Sequence, residues 1–152
     1  MATALIPASL GSIETDATVI AYGEVIDASA LAVAEFFVPA YMGHAATLHQ
    51  MADMPHLKVC QLLTAGYDNA IPYLRPGVTL CNAAGVHDAS TAELAVGLAL
   101  SSLRGIDDAA RDMASGRWDH RNLPALADKH IVIVGAGGVG QAIRRRLEPF
   151  EV

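Results

Sequence analysis

Three glycines late in the chain, Gly135, Gly137 and Gly140, stand in the order G-x-G-x-x-G inside "HIVIVGAGGVGQAIRRRL". The run before them, "HIVIV", is β-branched and suits a buried parallel strand, and Gln141 to Leu147 continues as a helix until Pro149 intervenes. Such a strand–turn–helix has a defined chemical use. The first glycine permits the tight turn, the second lets the backbone approach a pyrophosphate, and the third lets helix and strand lie close together. Amides around Gly138 and Val139 then point at phosphate, where the helix dipole favours negative charge. An acidic residue that holds the adenosine ribose is expected about 20 residues beyond the first glycine. Counted from Gly135, that position falls just past Val152, so this sequence is expected to be the front portion of a longer protein.

Other polar groups carry weaker signals. His87, Asp88 and Ser90 are neighbours in sequence, but a hydrolytic triad needs nucleophile, base and orienting group placed by the fold. They fit the start of a helix instead. Ser90 and Glu93 have capping-box spacing, which assigns Glu93 to the first helical turn and not to acid catalysis. His44, His49 and His56 are too loosely spaced to indicate a metal site, and no metal is expected. Trp118 in "SGRWDH" is expected to anchor its loop by packing, and Tyr67 and Asp68 to stabilise a turn.

The chain has 152 residues, 53% hydrophobic, enough for a sizeable core. Its net charge is -6, and Lys58 and Arg75 are the only basic residues before Arg104. That balance argues against nucleic acid as a partner, and Arg144 to Arg146 suit a solvated face near a helix C-terminus. Cys60 and Cys81 are no disulfide framework, the N-terminus lacks a basic leader, and no apolar run is long enough to span a bilayer. A cytoplasmic location without membrane contact is expected.

The elements that must position these residues alternate. Apolar segments in "MATALIPA", "ATVIAYGEVI", "AVAEFFVPAYM", "LKVCQLLTAG" and "GVTLCNAAG" suit strands, and "HAATLHQMADM" suits a helix ending before Pro55. This is the pattern of an α/β protein with a mostly parallel sheet. The texture changes after "CNAAG", dividing the chain into 1–83 and 84–152. "ASTAELAVGLALSSLRG" is helical and apolar nearly all round, so it needs cover on more than one side, and "RDMASGRWDHRNLPALADKH" is a polar connection or broken helix.

Together, "LKVCQLLTAGYDNAIPYL", "GVTLCNAAGVHDASTAELAVGLALSSLRG", "GRW" and "ADKHIVIVGAGGVGQAIRRRLEPFEV" resemble the D-isomer-specific 2-hydroxyacid dehydrogenases, in family order and separation from about Glu35 onward. The resemblance implies a flavodoxin-like substrate domain followed by the beginning of a doubly wound Rossmann cofactor domain. It implies hydride transfer between NAD or NADP and a small 2-hydroxy or 2-oxo acid, and a homodimer for the full-length protein. Carried over by position, Ala65 and Gly66 match the turn that holds the substrate carboxylate. Thr91 matches a position facing the nicotinamide, and Gly135, Ala136, Gly137, Gly138, Val139 and Gly140 match the pyrophosphate loop. The family's arginine, glutamate and histidine follow the glycine loop, so no catalytic residue is assigned and the chain alone is expected to be inactive. The glycine loop also admits a non-catalytic nucleotide-binding or regulatory protein, or a methyltransferase. The long N-terminal α/β region, "TAGYD" and "ASTAELA" disfavour the methyltransferase.

Overall fold

The computed structural model describes residues 1–43 and 45–152, which form two compact units, Met1–Ala84 and Gly85–Val152. In the first unit the chain runs through β1 (Thr3–Pro7), β2 (Thr18–Tyr22), α1 (Ala28–Val33), β3 (Phe36–Phe37), α2 (Ala45–His49), β4 (Val59–Gln61) and β5 (Thr79–Cys81). All strand pairs are parallel and the sheet order is β2-β1-β3-β4-β5. This is the flavodoxin-like order, in which the chain first winds one way from β1 and then reverses through β3.

The apolar strands lie where a parallel sheet needs them. Leu5, Phe37 and Cys60 are fully buried on adjacent strands, and Met51, Met54 and Leu31 cover them from the connections. Tyr22 tilts against Phe37 at 6.1 Å between ring centroids, and its hydroxyl donates to the Val38 carbonyl at 2.8 Å. Burial pushes the Cys60 thiol up to about 11, so it stays protonated at neutral pH and behaves as a small apolar side chain.

Local pattern and structure differ at several points. β3 is only two residues long, and "DASALAV" forms the short helix α1, too brief for its period to show. The helix expected over "HAATLHQMADM" is α2 followed by a 3-10 turn at Gln50–Asp53, and its first residue, His44, lies outside the described residues. The His49 ring stacks on Tyr73 at 4.3 Å, and among the described residues no group of His, Cys, Asp or Glu is placed to hold a metal.

Glu35 clasps the start of the sheet. Its carboxylate accepts from the Thr3 amide at 3.1 Å and from Lys58 Nζ at 2.5 Å, tying β1, β3 and β4 together. The Lys58 hydrogen bond, then the Thr3 amide, hold its carboxyl below the ordinary value of 4.5. A depressed carboxylate pKa contributes stability above its unfolded value that is lost as pH falls through the folded one. Urea midpoints measured across the acid range should therefore fall less steeply below about pH 4.5 for Glu35→Gln than for the parent.

The second unit contains α3 (Asp88–Arg104), α4 (Ile106–Ser115) and α5 (Gly138–Leu147). Its core joins Val96 of α3, Leu126 and Leu147, with Leu100, Leu103, Ile133 and Ile143 packed against them. The opposite side of α3 leaves Leu94 and Leu98 63% and 60% exposed, so the helix is covered on one side. No helix among the described residues is long and apolar enough to cross a membrane.

Three expectations are corrected here. α3 begins at Asp88, so Ser90 lies inside the helix and donates to the His87 carbonyl, and no side chain caps the helix. Glu93 instead meets Arg146 of α5 at 3.1 Å, a partner 53 residues away that capping spacing cannot reveal. Trp118 is 88% exposed and is no packing anchor: it lines an open hollow of about 560 Å³ with Arg104, Met113 and Leu123. Lastly, "HIVIV" forms no backbone ladder among the described residues, and Val132 and Val134 stand 86% and 97% exposed. A strand is assigned through its neighbours' hydrogen bonds, and β-branched residues alone do not supply them.

Candidate functional site: the glycine loop and the turn after β4

The glycine loop of the second unit is shaped by two of its glycines. Gly135 takes φ +104, a conformation that side chains disfavour, and turns the chain back toward α5. A Cβ on Gly140 would run into the Gly135 carbonyl, whose carbon lies 3.1 Å from that point, so helix and turn touch only because it is absent. Gly137 differs. It has φ -73 and ψ -169, and nothing lies within 4 Å of where its Cβ would stand. The fold itself does not require glycine there.

The start of α5 is open. No side chain caps it, and the amides of Gly138 and Val139 donate to no acceptor among the described residues. Gln141 pins the loop from inside: its amide donates to the Gly137 carbonyl and its side chain to the Ala136 carbonyl, each at 3.0 Å. An exposed groove of about 450 Å³ runs beside the loop, lined by Gly135, Ala136, Gly140, Gln141, Arg144 and Arg145. Free amides, a helix dipole and two nearby guanidinium groups suit an anion. Of the three arginines only Arg146 is drawn inward, by Glu93, so the expectation of a solvated face holds for Arg144 and Arg145. Thr91 is exposed in the first turn of α3, three residues after Asp88, which abuts Gly138.

In the first unit, Ala65 and Gly66 lie on the turn that leaves β4 at the C-terminal edge of the sheet. Both of their carbonyls are held by side chains: Asn82 Nδ2 donates to Ala65 at 2.7 Å, and Thr64 Oγ1 to Gly66 at 2.8 Å. Ala83 anchors the turn further by donating its amide to the Thr64 carbonyl at 2.9 Å. The amides of Ala65 and Gly66 have no acceptor among the described residues and are exposed. Two anchored carbonyls and two exposed amides without an acceptor among the described residues leave this turn with donors available to an anion. A hollow of about 220 Å³ adjoins it, lined by Pro39, Tyr41, Leu48, Leu62, Thr64 and Asn69. Asn82 and Thr64 carried no signal in sequence, because their roles depend on the pairing that brings the ends of β4 and β5 together.

A parallel sheet in the flavodoxin-like order, followed by a glycine turn opening a helix, defines an α/β protein of the doubly wound type. Residues 96–152 match the family described as D-isomer specific 2-hydroxyacid dehydrogenase, NAD binding domain. The chain is 35% identical over 104 residues to the mouse glyoxylate reductase/hydroxypyruvate reductase, covering 64% of this chain and 32% of that protein. It is 34% identical over 106 residues to the glyoxylate reductase of Thermofilum pendens, covering 64% and 31%. In fold it is similar to a D-isomer specific 2-hydroxyacid dehydrogenase family protein from Aeromonas salmonicida, with a TM-score of 0.80 at 17% identity, over 99% of this chain and 51% of that one. The chain is thus similar to D-isomer specific 2-hydroxyacid dehydrogenases, with the family match falling on residues 96–152. It spans about a third of the length of these curated relatives and about half of that solved structure.

Proposed function

We propose that this chain supplies the substrate-carboxylate turn and the cofactor-phosphate loop of an oxidoreductase. The enzyme transfers a hydride between NAD or NADP and a small D-2-hydroxy acid or its 2-oxo partner. In this reading residues 1–83 belong to the substrate domain and 84–152 to the dinucleotide-binding domain. Ala65 and Gly66 hold the acid through their amides. Gly135, Ala136, Gly137, Gly138, Val139 and Gly140 hold the pyrophosphate, and Thr91 faces the nicotinamide side. The bound nicotinamide supplies or accepts the hydride.

The observation that carries the reading is the start of α5, where uncapped amides follow a glycine whose missing side chain leaves open space. The family match over the same residues supports it. The turn at Ala65 supports the carboxylate part of the reading, its carbonyls held by Asn82 and Thr64 and its amides exposed. This reading gives these residues binding and orientation, and assigns no catalytic group among the described residues.

Two measurements on the purified chain test this reading. NADH or NADPH should bind and shift the amide resonances of Gly138 and Val139, while glyoxylate should shift those of Ala65 and Gly66. Mixing the two should give no oxidation of the reduced cofactor in a spectrophotometric assay. Failure of both cofactors to bind would overturn the cofactor assignment, and turnover proportional to chain concentration would overturn the absence of a catalytic group.

A further inference from the structure

Asp88 is the first residue of α3 and Gly138 the first of α5. A Cβ on Gly138 would fall on the Asp88 carboxylate, with Cγ at 2.8 Å and Oδ1 at 3.1 Å. A side chain on Gly138 would therefore require the Asp88 carboxylate to move. Asp88 is half-buried, and its carboxylate enters no ion pair or hydrogen bond among the described residues. It stands at two helix N-termini at once, neither of them capped by a side chain. Negative charge there is favourable to both helices. It also lies beside Gly138, whose amide is the first of those open to a phosphate.

We propose that Asp88 sets the strength of anion binding at the glycine loop, its carboxylate serving as a built-in counter-charge that a bound pyrophosphate must accommodate. The inference rests on the cofactor reading above and adds to it a residue that tunes affinity. Asp88 is a positioning residue, acting on the ligand through charge. Two unit charges about 4 Å apart in water repel by about 1 kcal/mol, which corresponds to about fivefold in affinity, and salt screens the effect.

Charge and packing make opposite forecasts. Asp88→Asn removes negative charge from two helix N-termini, so the melting temperature should fall slightly, yet ligand binding should tighten. A residue that merely holds the loop in shape would lower both together.

The test is calorimetric titration of the 152-residue chain and its Asp88→Asn and Asp88→Ser variants with inorganic pyrophosphate and with NADH, at low and high salt. Circular dichroism monitors folding. The expected result is binding about fivefold tighter in both variants at low salt, a gain that shrinks as salt rises, and near-parental affinity for Asp88→Glu, which keeps the charge. Unchanged or weaker binding by folded variants overturns the proposal while leaving the cofactor reading intact if the parent binds NADH. If no form binds either probe, the cofactor reading fails and takes this proposal with it. Failure of the Asn and Ser variants alike to fold would make Asp88 a structural residue and overturn the proposal as well.

Discussion

Gly137→Val should bind a reduced nicotinamide dinucleotide at least about tenfold more weakly than the parent, a loss of about 1.4 kcal/mol, while keeping its fold. The backbone at this position has φ -73 and ψ -169, an extended conformation open to any residue, and no atom lies within 4 Å of the new Cβ. The new Cβ therefore meets nothing in the protein. Under the proposed assignment it meets the ligand, because the second glycine of such a loop lets a phosphate come against the backbone. Valine is a poorer helix N-cap than glycine, so a small loss of stability is expected from that source alone. Gly137→Ser separates the two effects. Serine caps well and should match or exceed the parent in thermal stability, yet its side chain still obstructs the phosphate and binding should still weaken. Gly140→Val is the contrasting case: its side chain strikes the Gly135 carbonyl, so the loop itself must move and helix content should fall. Parental affinity in a folded Gly137→Val chain would remove the pyrophosphate assignment.

Phe37→Ala should lower the stability of the first unit by about 3–5 kcal/mol. Phe37 is fully buried on a strand of two residues that lies between β1 and β4, and its ring leans on Tyr22. So short a strand contributes few ladder hydrogen bonds, and its place in the sheet depends on what its side chains bury. Small domains are stable by only about 5–15 kcal/mol, so the loss is a large fraction of the total. In urea the midpoint should move down by about 2 M if the slope is near 2 kcal/mol/M. Phe37→Leu, which keeps most of the volume, should recover over half of the loss. A midpoint within about half a molar of the parent for Phe37→Ala would show that the core closes around the gap without cost.

The glycine loop and its helix were legible in the sequence because their determinants are local. Gly135, Gly137 and Gly140 act within one turn of chain, and the helix from Gly138 to Leu147 gives way to a 3-10 turn at Glu148–Phe150, which holds Pro149. The alternation of apolar segments likewise marked an α/β sheet, since strand and helix periods are properties of a few consecutive residues. Tertiary structure decided what depends on distant partners. Asn82 reaches the Ala65 carbonyl only because β4 and β5 pair; Glu93 is no cap because α3 already begins at Asp88, and it meets Arg146 of α5 at 3.1 Å. Trp118 is 88% exposed because the hollow it lines with Arg104, Met113 and Leu123 is open to solvent. The run "HIVIV" shows the same division: β-branched residues prepare a strand, but a ladder needs neighbours, and none pairs with it among the described residues. Local sequence sets the conformations each segment prefers. Which carbonyl, carboxylate or ring it meets is a matter of how segments far apart in the chain pack, and the space beside Gly138 filled by Asp88, 50 residues earlier, is decided there.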